Sequence, residues 1–222
     1  MRASLIREKL KLVESKIAGV IFDLGAVVID WNPMHLYRKV FAGDEAKAAD
    51  FLKRICPPEW NEMQDAGRSL EAATAERLAL FPEWESEIRA FYGRWPEMIG
   101  GPIPGTAEIM RELSALGVRL FALSNWSAET FPLVRDKFRE LDLFEEIFLS
   151  GEHKIAKPDE RFYRAALERI DIPAENLVFV DDSLKNVRAS EKIGLRALLF
   201  TGADRLRSDL RTLGVGLIVD PA

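Results

Sequence analysis

The stretch Lys16 to Asp30, KIAGVIFDLGAVVID, decides the fold. Within it, Ile17 to Phe22 is a short apolar run rich in β-branched residues. No polar residue alternates with it, so it predicts a central strand buried on both faces. The run stops at Asp23, which is followed at once by Leu-Gly. Open α/β sheets keep their chemistry in the crevice at the carboxyl ends of the strands, so a carboxylate closing such a strand is a candidate site residue. Its structural alternative is a turn cap.

Upstream, residues 2 to 15 place Leu5, Ile6, Lys9, Leu10, Leu12 and Val13 so that one face is largely apolar, which predicts a short amphipathic helix that packs ahead of the strand. Downstream, from Trp31 to about Gly100, strand-like runs vanish. Helical spacing recurs at Tyr37 to Phe41, Ala46 to Leu52, Leu70 to Leu80 and Ser86 to Trp95, punctuated by prolines 57, 58, 82 and 96. Trp31, Trp60, Trp84 and Trp95 all fall here, as a helical module with its own small core requires.

From Gly101 strands and helices alternate. Helix Thr106 to Leu116 ends at Gly117, and strand Val118 to Leu123 closes on Ser124-Asn125. Ser127 is placed to cap a helix running to about Phe138, and strand Glu146 to Leu149 follows. Lys157-Pro158-Asp159 opens a helix through Ile170, with the proline near the first helical position. Strand Leu177 to Val180 closes on Asp181-Asp182-Ser183, a helix runs to Gly194, and Arg196 to Phe200 and Leu217 to Val219 are the last strand candidates. This alternation predicts βαβ units: an α/β fold with a parallel sheet and helices on both faces.

Composition narrows the function. The 222 residues carry a net charge of −5, with no basic run or basic-aromatic patch suited to nucleic acid, so any anion site is local. The single cysteine, Cys56, fits a reducing compartment and reads as a small buried hydrophobe. The N-terminus is too charged for a signal peptide, and no apolar run approaches the ~20 residues that cross a bilayer. A cytoplasmic protein without membrane partners is expected, and the oligomeric state is open.

Three strand ends thus carry polar groups: Asp23, Ser124 with Asn125, and Asp181 with Asp182. Lys157 stands at a helix start after a fourth strand. A parallel sheet puts all of them on one edge. Two carboxylates from separate strands repel unless a cation joins them, and hard oxygen ligands favour Mg²⁺. A hydroxyl, an amide and a lysine beside them suit phosphate oxygens, which completes the inventory for phosphoryl transfer. Taken singly, each group also reads as a turn former, helix cap or solvated helix-end residue. His35 and His153 lack partners at ligand spacing and receive no role; Lys154, the rival to Lys157, does not precede Pro-Asp.

FDLGAVVID, ALSNWS, KPDERFY and FVDDSLKNV, in this order, resemble the four motifs of the haloacid dehalogenase-like hydrolase superfamily. The resemblance implies a Rossmann-like core over residues 1–29 and 101–222, and a helical cap of the first type over residues 30–100. It also implies an aspartyl-enzyme mechanism on a small phosphorylated substrate. Carried over, Asp23 is the nucleophile and the Gly25 carbonyl ligates Mg²⁺. Ser124 and the Asn125 amide hold phosphoryl oxygens, while Lys157 balances charge. Asp182 ligates Mg²⁺, with Asp181 supporting it directly or through water.

The chain departs from the family's phosphatases at Gly25, where they usually carry the acid-base aspartate. A positioned acid-base group typically supplies ~10²- to 10⁴-fold, so its absence should matter: either the substrate's leaving group departs with little protonation, or the acid comes from water or from the helical segment, where Asp65 and Glu62 are the candidates. Three readings stand: a Mg²⁺-dependent phosphatase, a metal-independent 2-haloacid dehalogenase, and a non-catalytic phosphate- or protein-binding module. Asp181 and Asp182 weigh against the second, as does the lack of the aromatic residue that those dehalogenases resemble one another in carrying at the Gly25 position. Intact Asp23, Lys157 and Asp182 weigh against the third. Trp31, Asn32, Trp60 and Gln64 are the candidates for the substrate cleft.

Overall fold

A computed structural model describes residues 17–217. The expected N-terminal helix lies outside these residues, as does nearly all of the last strand candidate; Leu217 itself is not in a strand. The first strand, β1 (Gly19–Phe22), pairs in parallel with β4 (Arg119–Ser124) on one side and β6 (Leu177–Asp181) on the other. β5 (Glu146–Leu149) extends the sheet beyond β4 and β7 (Arg196–Leu199) beyond β6, so the order is β5-β4-β1-β6-β7, all parallel.

Strand geometry explains why the apolar runs are unbroken. Alternate side chains point to opposite faces. Val20 and Phe22, Leu120 and Ala122, and Val178 and Val180 join one apolar cluster, while Ile21, Phe121, Leu123, Leu177 and Phe179 join a second. Both faces are covered, and the sheet has no polar side here.

Between β1 and β4 the chain makes two further short strands, β2 (Ile29–Trp31) and β3 (Ile99–Pro102), paired antiparallel. Neither was visible in the sequence pattern. The helical segment enters and leaves through this ribbon: α1 (Met34–Val40), α2 (Glu45–Arg54), α3 (Pro58–Asp65), α4 (Leu70–Leu80) and α5 (Glu85–Gly93). α3 is a helix that the spacing did not predict. Its two prolines read as breaks, but Pro58 takes the first helical turn, where its missing N–H costs nothing. An aromatic core holds these helices, with Tyr37 and Phe51 centroids 4.8 Å apart and Trp60 and Phe91 at 5.1 Å. Cys56 is buried there, as its composition reading required.

After β3 come α6 (Thr106–Ala115), then α7 (Pro132–Arg135), α8 (Ser150–His153), α9 (Glu160–Leu167), α10 (Leu184–Lys192) and α11 (Ala203–Thr212). Two expectations need correction. Ser127 does not cap a long helix: its hydroxyl accepts the Glu129 N–H in a local turn, and only Pro132–Arg135 is α-helical before a 3₁₀ turn at Arg139–Leu143. Pro158 does not sit in the first helical turn either. Asp159 is the N-cap of α9, accepting the Arg161 N–H, and the Lys157-Pro158 peptide just ahead of it is cis.

Candidate active site

The sheet order places the site. The chain leaves β1 toward β4 and leaves β6 toward β7, so connections diverge from the crevice between β1 and β6. Crevices of this kind, at the carboxyl ends of the strands, are where open α/β sheets bind ligands. Asp23 follows β1, Asp181 closes β6 and Asp182 follows it, while Ser124 closes β4.

One buried cation ties the two inner carboxylates together. Lys157 Nζ lies 3.0 Å from Asp23 Oδ1 and 2.7 Å from Asp181 Oδ2, and it donates to the Leu123 carbonyl at 2.7 Å. Burial opposes its charge, but the carboxylates of Asp23 and Asp181 outweigh that, and the ammonium is held above its ordinary range. Burial drives the Asp23 carboxyl upward; Lys157 pulls it down, and the charges of Asp181 and Asp182 add to the rise. Burial, then the Asp181 charge, also push Asp182 upward, although Asp182 is the exposed member of the group.

Asp23 Oδ1 is occupied twice, by the Lys157 ammonium and by the Leu24 N–H at 2.7 Å. Its Oδ2 has no hydrogen-bond partner among the described residues. Asp181 is fully engaged. Oδ1 accepts the Ser183 N–H at 2.8 Å, both oxygens accept from the Asn186 amide at 3.0 and 3.1 Å, and Oδ2 takes Lys157. Asn186 belongs to the site and the sequence reading passed over it; it lies one helical turn into α10 within the quoted FVDDSLKNV motif, which was the available signal.

Three carboxylates against one ammonium leave an excess of negative charge. One oxygen from each of Asp23, Asp181 and Asp182 can be chosen so that all lie within 4.8 Å of one another, and a set of hard oxygen donors of this kind fits a divalent cation such as Mg²⁺.

Asn125 also has a structural task. Its side chain accepts the Lys157 N–H at 2.8 Å and donates to the Lys157 carbonyl at 3.0 Å. This two-point clamp fixes the backbone that carries the lysine. Ser124 is buried at the end of β4.

The cleft beside Gly25 is lined by Trp31, Asn61, Asp65, Trp95, Asn125 and Trp126. Of the four expected cleft residues only Trp31 is there. Trp60 packs on Phe91 and Tyr92, Gln64 donates to the Trp60 carbonyl and the Tyr92 hydroxyl, and the Asn32 carboxamide accepts the Met34 N–H. Asn61 and Trp95 were missed because helical spacing cannot separate a wall of a cleft from a core, and Trp126 because it sits in the loop after β4, outside the helical segment.

Comparison with known proteins agrees with this geometry. A family model described as haloacid dehalogenase-like hydrolase matches residues 17–194. A sesquiterpene phosphatase, astK, of Aspergillus oryzae is 28% identical over 195 residues, covering 88% of this chain and 95% of the relative. A phosphorylated carbohydrates phosphatase of Thermotoga maritima is 25% identical over 185 residues, covering 81% and 83%. Among solved structures, the HAD-hydrolase YfnB of Bacillus subtilis, crystallised with magnesium, aligns with a TM-score of 0.68 at 18% identity, covering 88% of this chain and 99% of that one. With its family match spanning most of the described residues and its polar groups gathered at the strand ends, the chain belongs to the haloacid dehalogenase-like hydrolases.

Proposed function

We propose that this hydrolase is a Mg²⁺-dependent phosphatase acting on a small phosphorylated metabolite through an aspartyl-phosphate. One observation carries the reading: Asp23 presents an unengaged oxygen in a crevice holding a buried ammonium and two further carboxylates. Asp23, Asp182 and the Gly25 carbonyl are the metal ligands in this reading, with Asp181 behind them. Bound there, Mg²⁺ supplies positive charge to the transferring group and relieves repulsion among the carboxylates.

The chain's own residues do the rest. Asp23 Oδ2 attacks phosphorus, and Lys157 keeps Oδ1 neutralised so that the attacking oxygen is not repelled by the phosphate. The Ser124 hydroxyl and the Asn125 backbone N–H hold non-bridging oxygens. Residues 30–100 act as a cap over a core that takes in residues 17–29 and 101–217, and the cleft walled by Trp31, Trp95 and Trp126 receives the carbon part of the substrate. The named activities of the two phosphatase relatives support the same reaction class. Among the described residues no helix is long and apolar enough to cross a membrane. The buried free cysteine supports a reducing, cytoplasmic setting in this reading.

A panel tests the reaction: phosphate release from p-nitrophenyl phosphate and sugar phosphates with and without Mg²⁺, beside chloride release from 2-chloropropionate. Metal-dependent phosphate release that disappears in Asp23→Asn is the expected result. Chloride release indifferent to chelator would replace this reading with a haloacid dehalogenase, and silence in both would replace it with a binding module.

A further inference from the structure

The Gly25 position leaves the leaving group without its usual proton donor, and the structure brings another carboxyl to the same cleft. We propose that Asp65, at the end of α3, is the general acid-base residue of this site, an assignment that rests on the phosphatase reading. Asp65 and Gly25 line one cleft together with Asn125, although 40 positions of sequence separate them. A Cβ built on Gly25 meets no atom within 4 Å, so the space that a side chain there would fill is open toward this cleft.

The Asp65 carboxyl is held by both oxygens. Oδ1 accepts the Ser127 N–H at 3.1 Å and Oδ2 accepts the Asn61 amide at 3.0 Å. Its main-chain carbonyl accepts the Ser150 hydroxyl, which in turn accepts the Trp126 N–H at 2.9 Å. The group is therefore fixed to the loop that follows Ser124 as well as to its own helix. Gly151 lets that loop lie against α8: a Cβ there would collide with the Ala128 backbone nitrogen. Holding an acid at a fixed place in the cleft is what general acid catalysis requires, geometry first and acidity second.

Its acidity agrees. Burial pushes the carboxyl up to about 8, the Ser127 N–H opposes this, and the charges of Glu62 on the same helix and Asp23 at the end of β1 add to it. Tyr92 of α5 is the other titratable group that feels it. At neutral pH the group therefore keeps its proton and can give it away.

The step balances. As Asp23 Oδ2 forms its bond to phosphorus, the bond from phosphorus to the alcohol oxygen breaks and the Asp65 proton goes to that oxygen, leaving an alcohol and a carboxylate. In the second half, water attacks phosphorus, its proton goes to the Asp65 carboxylate, and the bond to Asp23 breaks to release phosphate. Glu62 is not suited to this role: it is exposed and pairs with Lys185 at 3.5 Å.

The experiment compares n-hexyl phosphate, a poor leaving group, with p-nitrophenyl phosphate, a good one, both with Mg²⁺. Asp65→Asn is expected to lose ~10²- to 10⁴-fold in kcat/KM on the alkyl ester and less than about 10-fold on the aryl ester. Adding Gly25→Asp to Asp65→Asn should restore most of the alkyl activity. In the wild type, transfer from the alkyl ester should fall above pH about 8 as Asp65 loses its proton, and this check needs no variant to fold. Equal losses on both esters, no loss on either, or an alkyl rate flat through pH 8 would overturn the assignment while leaving the phosphatase intact. A wild-type protein silent toward both esters would remove the phosphatase reading, and Asp65's role with it.

Discussion

Lys157 Nζ stands 3.0 Å from Asp23 Oδ1, and the lysine side chain has no accessible surface. A buried ammonium is tolerated only when paired, and this one is paired twice, since Asp181 lies 2.7 Å away. Replacing it with methionine would leave two carboxylates facing each other in a dry site. Lys157→Met should lose ~10²- to 10³-fold in turnover, as expected for removal of one preorganised charge. It should also lose roughly 3–5 kcal/mol of stability, because breaking a buried pair strands its partners. Denaturant unfolding with and without Mg²⁺ checks this. The metal should recover part of the stability and little of the rate.

Metal binding should register as stability in the wild type. A ligand at ~100 times its Kd adds about 2.7 kcal/mol, or some 5–10 °C in Tm for a chain of this size. Thermal melts in Mg²⁺ against EDTA measure it. Asp182→Asn should remove most of the difference, and an undiminished shift would place the metal elsewhere.

Asn186 offers a gentler perturbation. Its amide donates to both Asp181 oxygens, so Asn186→Ala frees that carboxylate to turn while keeping every charge. A supporting bond of this kind is worth 10- to 100-fold in metal affinity. The Mg²⁺ concentration for half-maximal activity should rise by about that factor, with the rate at saturating metal changed little. A large loss at saturation would mean that Asn186 acts on more than the metal.

Asn125 clamps the Lys157 backbone from both sides. Asn125→Ala removes two hydrogen bonds worth about 1 kcal/mol each and loosens the lysine's seat. The expected outcome is a lower Tm and a kcat reduced more than KM is raised. If KM alone suffers, the carboxamide touches substrate after all.

The sheet was legible because its strands are buried on both sides. Val20, Ile21 and Phe22 feed two different clusters, so apolar runs mark them without ambiguity. The strand ends were legible only together: singly each polar group also reads as a turn or a cap, but several such runs closing on polar groups point to one crevice. The cleft was not. Trp60 and Trp95 occupy the same kind of helical sequence, yet one is wholly core and the other also lines the cleft, a difference set by tertiary placement alone. α3 was hidden by its two prolines, and with it the position that brings Asp65 to the Gly25 side. The β2–β3 ribbon was hidden because Ile99 to Pro102, IGGP, has no alternation to read. Ser127 misled in the opposite direction, since a serine that starts a helix and one that closes a turn look alike.

That ribbon has a wider consequence. The five helices depart after Trp31 and rejoin at Ile99, which are partners in the same ladder, so the block hangs from the sheet at one seam. An evolutionary exchange of such a block would leave every strand register untouched and keep the nucleophile in service. In this chain the exchange would also carry off Asp65, so a new substrate preference and a new proton donor would have to arrive together, and the lineage is less free to change its diet than its architecture suggests.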